Sequence, residues 1–174
     1  RRAARTNDAG ELIVLEEQDR ARWNREQIRE GQELTERALR ARRAGPYAIQ
    51  AAIAAVHADA TSADDTDWAQ IVAFYDLLLN MQSSPVVELN RAAAIAMRDG
   101  PARGLDLINA LLARGELGNY HLAHSARADL LRRLGRTDDA LAAYTIALAL
   151  TTQHPERRYI ERRMAALRGD RQPN

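Results

Sequence analysis

Four of the five prolines stand where helices should begin, and this punctuation constrains the fold more than any other feature of the chain. Pro46 follows Gly45, Pro85 follows Ser84, Pro101 follows Gly100 and Pro155 follows His154. A proline is accepted at the first helical position because its missing amide would be unpaired there anyway. Inside a helix it breaks the ladder. Gly115 and Gly135 read as helix stops. The chain is therefore marked out as a series of short helices. Its 34 alanines and 21 leucines favour that state. With 8 aromatic residues and 9 glycines it is poor in what an all-β fold needs.

Capping signals sharpen the outline. Ser84 is a good N-cap, with Glu88 in the following turn to favour the helix dipole. Thr137 reads as a cap ahead of Asp138 and Asp139. Asn24 and Gln27 read as a capping box. Helices are expected over 25–42, 46–60, 67–81, 85–98, 101–114, 119–134, 138–151 and 155–168. Residues 1–24 form a leading segment, with a helix end over 1–5, a turn at Asn7–Gly10 and a short extended stretch at Glu11–Leu15. Residues 25–168 read as a single helical-repeat domain, and 169–174 as a frayed tail. Short links make successive helices antiparallel neighbours.

An internal repeat supports this. The stretch from Gly135 to Leu141 is a tight turn entering a helix, and the stretch from Asp99 to Leu105 matches it 36 residues earlier. Gly104 then corresponds to Ala140, Leu105 to Leu141 and Ala92 to Ala128. A third, looser unit covers 46–60 and 67–81. Small residues at matched positions suit a close crossing of two helices. Ala128 and Ala140 would form one such crossing, with Tyr144 and Ala147 on the same face filling the gap to the next pair.

The stretch ADLLRRLGRTDDALAAYTIALAL, Ala128 to Leu150, resembles a tetratricopeptide repeat. It departs from that pattern in its late proline, Pro155, and in lacking the usual tryptophan. The chain as a whole is similar to one particular helical extension. This is the C-terminal region of bacterial extracytoplasmic-function RNA polymerase sigma factors that carry tetratricopeptide-like repeats. The matching segments, in order, are RRAARTNDAGELIVLEEQDRARWN, GPYAIQAAIAAVHADA, DTDWAQIVAFYDLL, SSPVVELNRAAAIAM, GNYHLAHSARADLLRRLGR and ERRYIERRMAAL. They run from Arg1 to about Leu167. The resemblance implies an all-α, tetratricopeptide-like array of antiparallel helical hairpins. It also implies an accessory or regulatory role, exercised through the sigma domains of the parent chain or through RNA polymerase. The alternative is a generic peptide-binding scaffold unrelated to transcription. No promoter-reading helix-turn-helix or polymerase-binding helix is legible in the sequence, so the piece is not expected to initiate transcription alone.

Composition closes off other classes. The absence of cysteine removes disulfides, thiol nucleophiles and thiolate metal sites, and fits a reducing, cytoplasmic compartment. No apolar run approaches the ~20 residues that span a bilayer. Arg1 in place of Met reads as an internal piece of a longer protein. All 25 basic residues are arginine. Segments 1–44, 45–119 and 120–174 carry +2, −5 and +4, from 11, 4 and 10 arginines against 9, 9 and 6 acids. A DNA-binding module shows a stronger, continuous basic face, so the polarity suits protein contacts and no direct DNA binding is expected.

The residues that could carry function each have a structural reading beside the functional one. Asn90 and Arg91 sit between apolar stretches and either close a neighbouring loop or hold the backbone and a carboxylate of a bound peptide. Gln50, His57, Tyr120, His124 and Arg127 are further candidates for such a peptide-binding face. His121 and His124 share a helix face, but no third metal ligand is evident. Asp64, Asp65 and Asp67 read as caps, since a calcium loop needs alternating ligands and a distal glutamate. Trp23 and Trp68 read as core anchors, and Asp19 and Arg20 as ties for the leading segment. The arginines of ERRYIERR describe a solvated face. No enzymatic activity, cofactor or metal is expected.

Overall fold

The computed structural model describes residues 4–7, 12–41 and 44–169. Within them the chain forms eight α-helices and no strand. They are α1 (Arg25–Arg40), α2 (Pro46–Asp59), α3 (Trp68–Met81), α4 (Pro85–Asp99), α5 (Pro101–Ala113), α6 (His121–Arg133), α7 (Thr137–Leu150) and α8 (His154–Gly169). All of the expected helices are present, and each end lies within two residues of its expected place. Two short 3₁₀ turns, Leu15–Glu17 and Arg20–Arg22, precede them. The expected helix end over 1–5 and the turn at Asn7–Gly10 fall partly outside the described residues, and the tail from 170 falls wholly outside.

The contacts divide the chain into two compact units. Of the described residues, the first holds 4–7 and Ile13–Arg91, and the second holds Leu12 and 92–169.

In the first unit α2 is central, with α1 and α3 each packed on it. Its core joins Ile49, Ala52, Ile53 and Val56 of α2 with Ile71, Val72 and Leu78 of α3. A second cluster gathers Ala4, Trp23 and Ala58, with Leu15 and Ile28 against it. Trp23 is therefore the anchor the sequence suggested. Trp68 is only half-buried, because it opens α3 and donates its indole N–H to the Ala63 carbonyl at 3.2 Å. The leading segment is pinned by the Ile13 amide, which donates to the Arg5 carbonyl at 2.9 Å. Leu15 starts a 3₁₀ turn where the sequence suggested the end of an extended stretch.

In the second unit α5 packs on α6, α6 on α7 and α7 on α8. Small residues mark the crossings. Ala128, Ala140, Ala143, Tyr144 and Ala147 are fully buried. Gly104 of α5 faces α4 so closely that a Cβ would lie 2.8 Å from the Ala92 carbonyl oxygen and 3.1 Å from Ala96 Cα, and would collide with Ala96 Cβ. The repeat correspondence between Gly104 and Ala140, and between Ala92 and Ala128, thus marks one packing device used twice.

The turn between α6 and α7 needs glycine. Gly135 has φ +71°, a region that L side chains rarely adopt. This lets the Arg136 amide reach back to the Leu131 carbonyl at 2.9 Å and the Gly135 amide to Arg132 at 3.0 Å. Gly115 plays the same part after α5, with φ +81°. At the other ends, the Asn24 side chain accepts from the Gln27 amide at 2.9 Å, and Asp67 from the Gln70 amide at 2.9 Å. Ser84 accepts from the Val87 amide at 3.4 Å. Thr137 departs from expectation. It is the first residue of α7 rather than its cap, and Arg136 stands at the N-cap with no side-chain bond to the helix backbone. Arg136 instead pairs with Asp139 at 2.7 Å.

Candidate docking surfaces

The candidate residues fall into both units, and most are engaged within their own unit. On α2, Gln50 is exposed and His57 lies seven residues on, on the same face. The His57 ring stands edge-on to Trp68 with centroids 5.3 Å apart, and its carbonyl accepts from Arg20. On α4, Asn90 is exposed, whereas Arg91 Nε donates to Asp76 Oδ1 at 2.5 Å and ties α4 to α3. That bond joins two helices and closes no loop, so it differs from the loop-closing role considered for this pair.

In the second unit, Tyr120 stands at the N-cap of α6 and its ring leans on His121. His124 is 9% exposed, with Nε2 2.8 Å from the Gly118 carbonyl oxygen. It pins the loop before α6. Arg127 Nε donates to Asn109 Oδ1 at 2.8 Å and joins α6 to α5. Gln50 and Asn90 are thus the two candidates that present their side chains most openly.

His121 does not team with His124. Its Nε2 lies 2.8 Å from Glu156 Oε2 of α8. Among the described residues no group of three or more His, Asp or Glu could hold a metal ion. No helix among them is long and apolar enough to cross a membrane. Asp65 accepts from the Thr61 and Ser62 hydroxyls, which hold its carboxyl below the usual range.

Arg20 is the most heavily used polar residue of the leading segment. It is buried, donates to the carbonyls of His57 at 2.9 Å and Ala60 at 2.6 Å, and approaches the Thr66 hydroxyl. Those carbonyls belong to the end of α2, where helix C=O groups lack intrahelical partners and favour a cation. Burial pulls the Arg20 pKa down, and the charge of Asp65 partly opposes this.

Two grooves flank α1 where it lies on α2, and neither was legible in the sequence. One, of about 370 Å³, has Ile28, Gly31, Ala51, Ala54 and Ala58 along its walls. The other, of about 340 Å³, is a valley between α1 and α3. Thr35, Leu39, Ala52, Ala55, Val56 and Phe74 line it, and Glu36 and Asp59 stand among its polar groups. The available signal was in α3, which carries apolar residues on two faces at once: Ile71, Val72 and Leu78 inward, and Phe74, Leu77 and Met81 at helical spacing on another side.

Residues 1–39 match a family of unknown function, DUF6596. An uncharacterized protein of Rhizobium meliloti (strain 1021), R00370, is 44% identical over 160 residues, which is 92% of this chain and 37% of that protein. The chain therefore spans little more than a third of the length of the curated relative it matches. No solved structure matches the chain.

Proposed function

We propose that the chain is a non-enzymatic docking extension of a bacterial extracytoplasmic-function sigma factor. In this reading it supports or controls the sigma domains of its parent polypeptide, through contacts with those domains or with RNA polymerase. The observation that carries the docking role is the packing of successive short helices on one another through buried alanines and a glycine. Such elements build firm surfaces that suit partner binding. Fold alone does not specify function, so the sigma-factor assignment draws on something else. It draws on the ordered set of segments, from Arg1 to about Leu167, that resemble the extensions of that family. A relative of which the chain covers only 37% has ample length for promoter-reading and polymerase-binding domains. A cytoplasmic location accompanies this reading.

The test is affinity purification of the parent polypeptide from its own cells. Co-purification with RNA polymerase subunits, together with loss of promoter-directed transcription when residues 25–168 are removed, is the expected result. A parent that purifies without polymerase would leave a generic peptide-binding scaffold in place of this assignment.

A further inference from the structure

Tyr144 is the largest fully buried side chain among the described residues, and its hydroxyl finds no hydrogen-bond partner among them. Protein interiors seldom leave a polar atom in that condition, and each exception calls for a physical reason. The hydroxyl sits where charged groups of two other helices converge. Asp129 and Arg132 of α6 and Tyr159 and Arg163 of α8 all act on it electrostatically. Those four residues are partly exposed. The cluster therefore runs from the buried oxygen on α7 out to solvent, on the side where α6 and α8 flank it.

A second tension lies in the same cluster. Arg132 and Arg163 come from different helices, and the charge of Arg163 acts against that of Arg132. Arg132 sends Nε and Nη2 to Asp129 Oδ1 at 3.1 and 2.7 Å, which answers one of the two cations. Arg163 Nε donates to the Tyr159 hydroxyl at 3.1 Å, and Arg162 and Arg163 both lie against the Tyr159 ring. A hydroxyl or a ring face orients a guanidinium and leaves its full charge in place. Three cations thus gather around one carboxylate. The other acids of α6 and α8 are turned elsewhere, Glu156 to His121 at 2.8 Å and Glu161 to Arg157 at 3.8 Å. Residues 121–169 hold nine arginines against five acids, whereas 92–120 hold three of each. The positive surplus of this unit is therefore a compact patch. A run of phosphates calls for a continuous basic face; a patch of this size matches the carboxylates of a protein segment.

We propose that the α6–α8 side of the second unit docks an acidic segment of a partner polypeptide, one carboxylate of which sits between Arg132 and Arg163 and accepts from the Tyr144 hydroxyl. One oxyanion there relieves both tensions. It supplies the acceptor that the tyrosine lacks and the negative charge that the arginine pair lacks, and planar guanidinium forks suit a carboxylate. Arg132 and Arg163 are long and partly exposed, so rotamer changes at their tips admit the ligand while the helices stay in place. The site rests on the docking role proposed above and gives that role a location and a partner chemistry.

The test uses the 174-residue chain and a fluorescein-labelled peptide of about ten residues that alternates glutamate and alanine, followed by anisotropy at low ionic strength. The expected result is binding in the micromolar range. It should weaken about tenfold with Arg132→Gln and with Arg163→Gln. Tyr144→Phe should also weaken it about tenfold, the loss of one hydrogen bond to a charged group, while the variant melts no lower than wild type. That combination separates binding from folding, because a merely structural tyrosine would leave peptide affinity untouched. Arg40→Gln, on the first unit, should bind like wild type, and a peptide with glutamine in place of glutamate should not bind. Circular dichroism melts check the fold of each variant.

No binding of the glutamate peptide, equal binding of the glutamine peptide, or wild-type affinity in the folded Tyr144→Phe variant would each overturn the proposal. So would tighter binding of a single-stranded oligonucleotide that Arg132→Gln and Arg163→Gln abolish, since it would hand the patch to nucleic acid. Failure here with polymerase co-purification intact removes the carboxylate site and keeps the docking role. The reverse result removes the sigma-factor assignment and keeps the site.

Discussion

Two glycines in helices should respond to the same substitution with opposite signs. Gly31 lies in α1 with nothing within 4 Å of where a Cβ would stand. Replacing it by alanine lowers the conformational entropy of the unfolded chain and improves helix propensity, a gain of about 0.5–1 kcal/mol. Gly104 lies in α5, and the same gain is available to it. There, however, the new Cβ meets the Ala92 carbonyl oxygen at 2.8 Å and Ala96 Cα at 3.1 Å. These are backbone atoms, which cannot swing aside as a side-chain tip can, so α4 and α5 must separate. Overpacking of this kind costs about 1–3 kcal/mol, and a backbone clash belongs at the upper end. The net for Gly104→Ala is a loss of about 2 kcal/mol. For a chain of this size a kilocalorie moves the melting point by roughly 2–4 °C. Gly104→Ala should therefore melt about 4–8 °C lower, and Gly31→Ala about 1–4 °C higher. Thermal unfolding followed by circular dichroism and calorimetry would read both shifts. A Gly104→Ala protein as stable as wild type, or more so, would refute the close crossing of α4 and α5.

Three further substitutions probe separate parts of the argument. Among the described residues the buried Tyr144 hydroxyl has no hydrogen-bond partner, so Tyr144→Phe should be neutral or stabilising by up to about 1 kcal/mol at neutral pH. Burial, followed by the charge of Asp129, pushes the Tyr144 pKa up. The folded state then keeps its proton after the unfolded chain has lost it, so stability should fall as pH rises above about 10, and Tyr144→Phe should flatten that fall in pH-dependent melts. Arg20→Met removes the cation from the His57 and Ala60 carbonyls and should cost about 2–4 kcal/mol in denaturant unfolding, with hydrogen exchange speeding up at the end of α2. Ala140→Glu places a charge where a fully buried alanine now sits and should destabilise the second unit strongly; a wild-type melting curve would contradict the packing of α6 on α7.

The helices were legible because their ends are written in local chemistry. Pro46, Pro85, Pro101 and Pro155 act through a missing amide and a fixed φ, and Gly115 and Gly135 through a backbone state closed to other residues. None of these depends on what lies across the fold. The crossings at Ala128, Ala140 and Gly104 were legible because repetition exposed them. Errors arose where local and distant partners compete. Thr137 has the chemistry of a cap, but the turn built on Gly135 brings Arg136 to that position. Trp68 has the bulk of a core residue, but it opens its helix and spends its N–H on Ala63. Arg91 and Arg127 found carboxylate and amide partners on neighbouring helices, which no spacing along the chain announces. The valley was invisible for a related reason. Sequence pattern marks Phe74, Leu77 and Met81 as apolar without saying which of α3's apolar faces the rest of the chain covers.

The role proposed for this helical chain is docking onto the transcription machinery of a parent polypeptide. The most direct measurement mixes the purified 174-residue chain with the remainder of the parent polypeptide and with core RNA polymerase, separately and together, and follows co-elution by size-exclusion chromatography. Co-elution with the sigma domains, with polymerase or with their complex is the predicted result. Elution of the chain alone in every mixture would contradict the account.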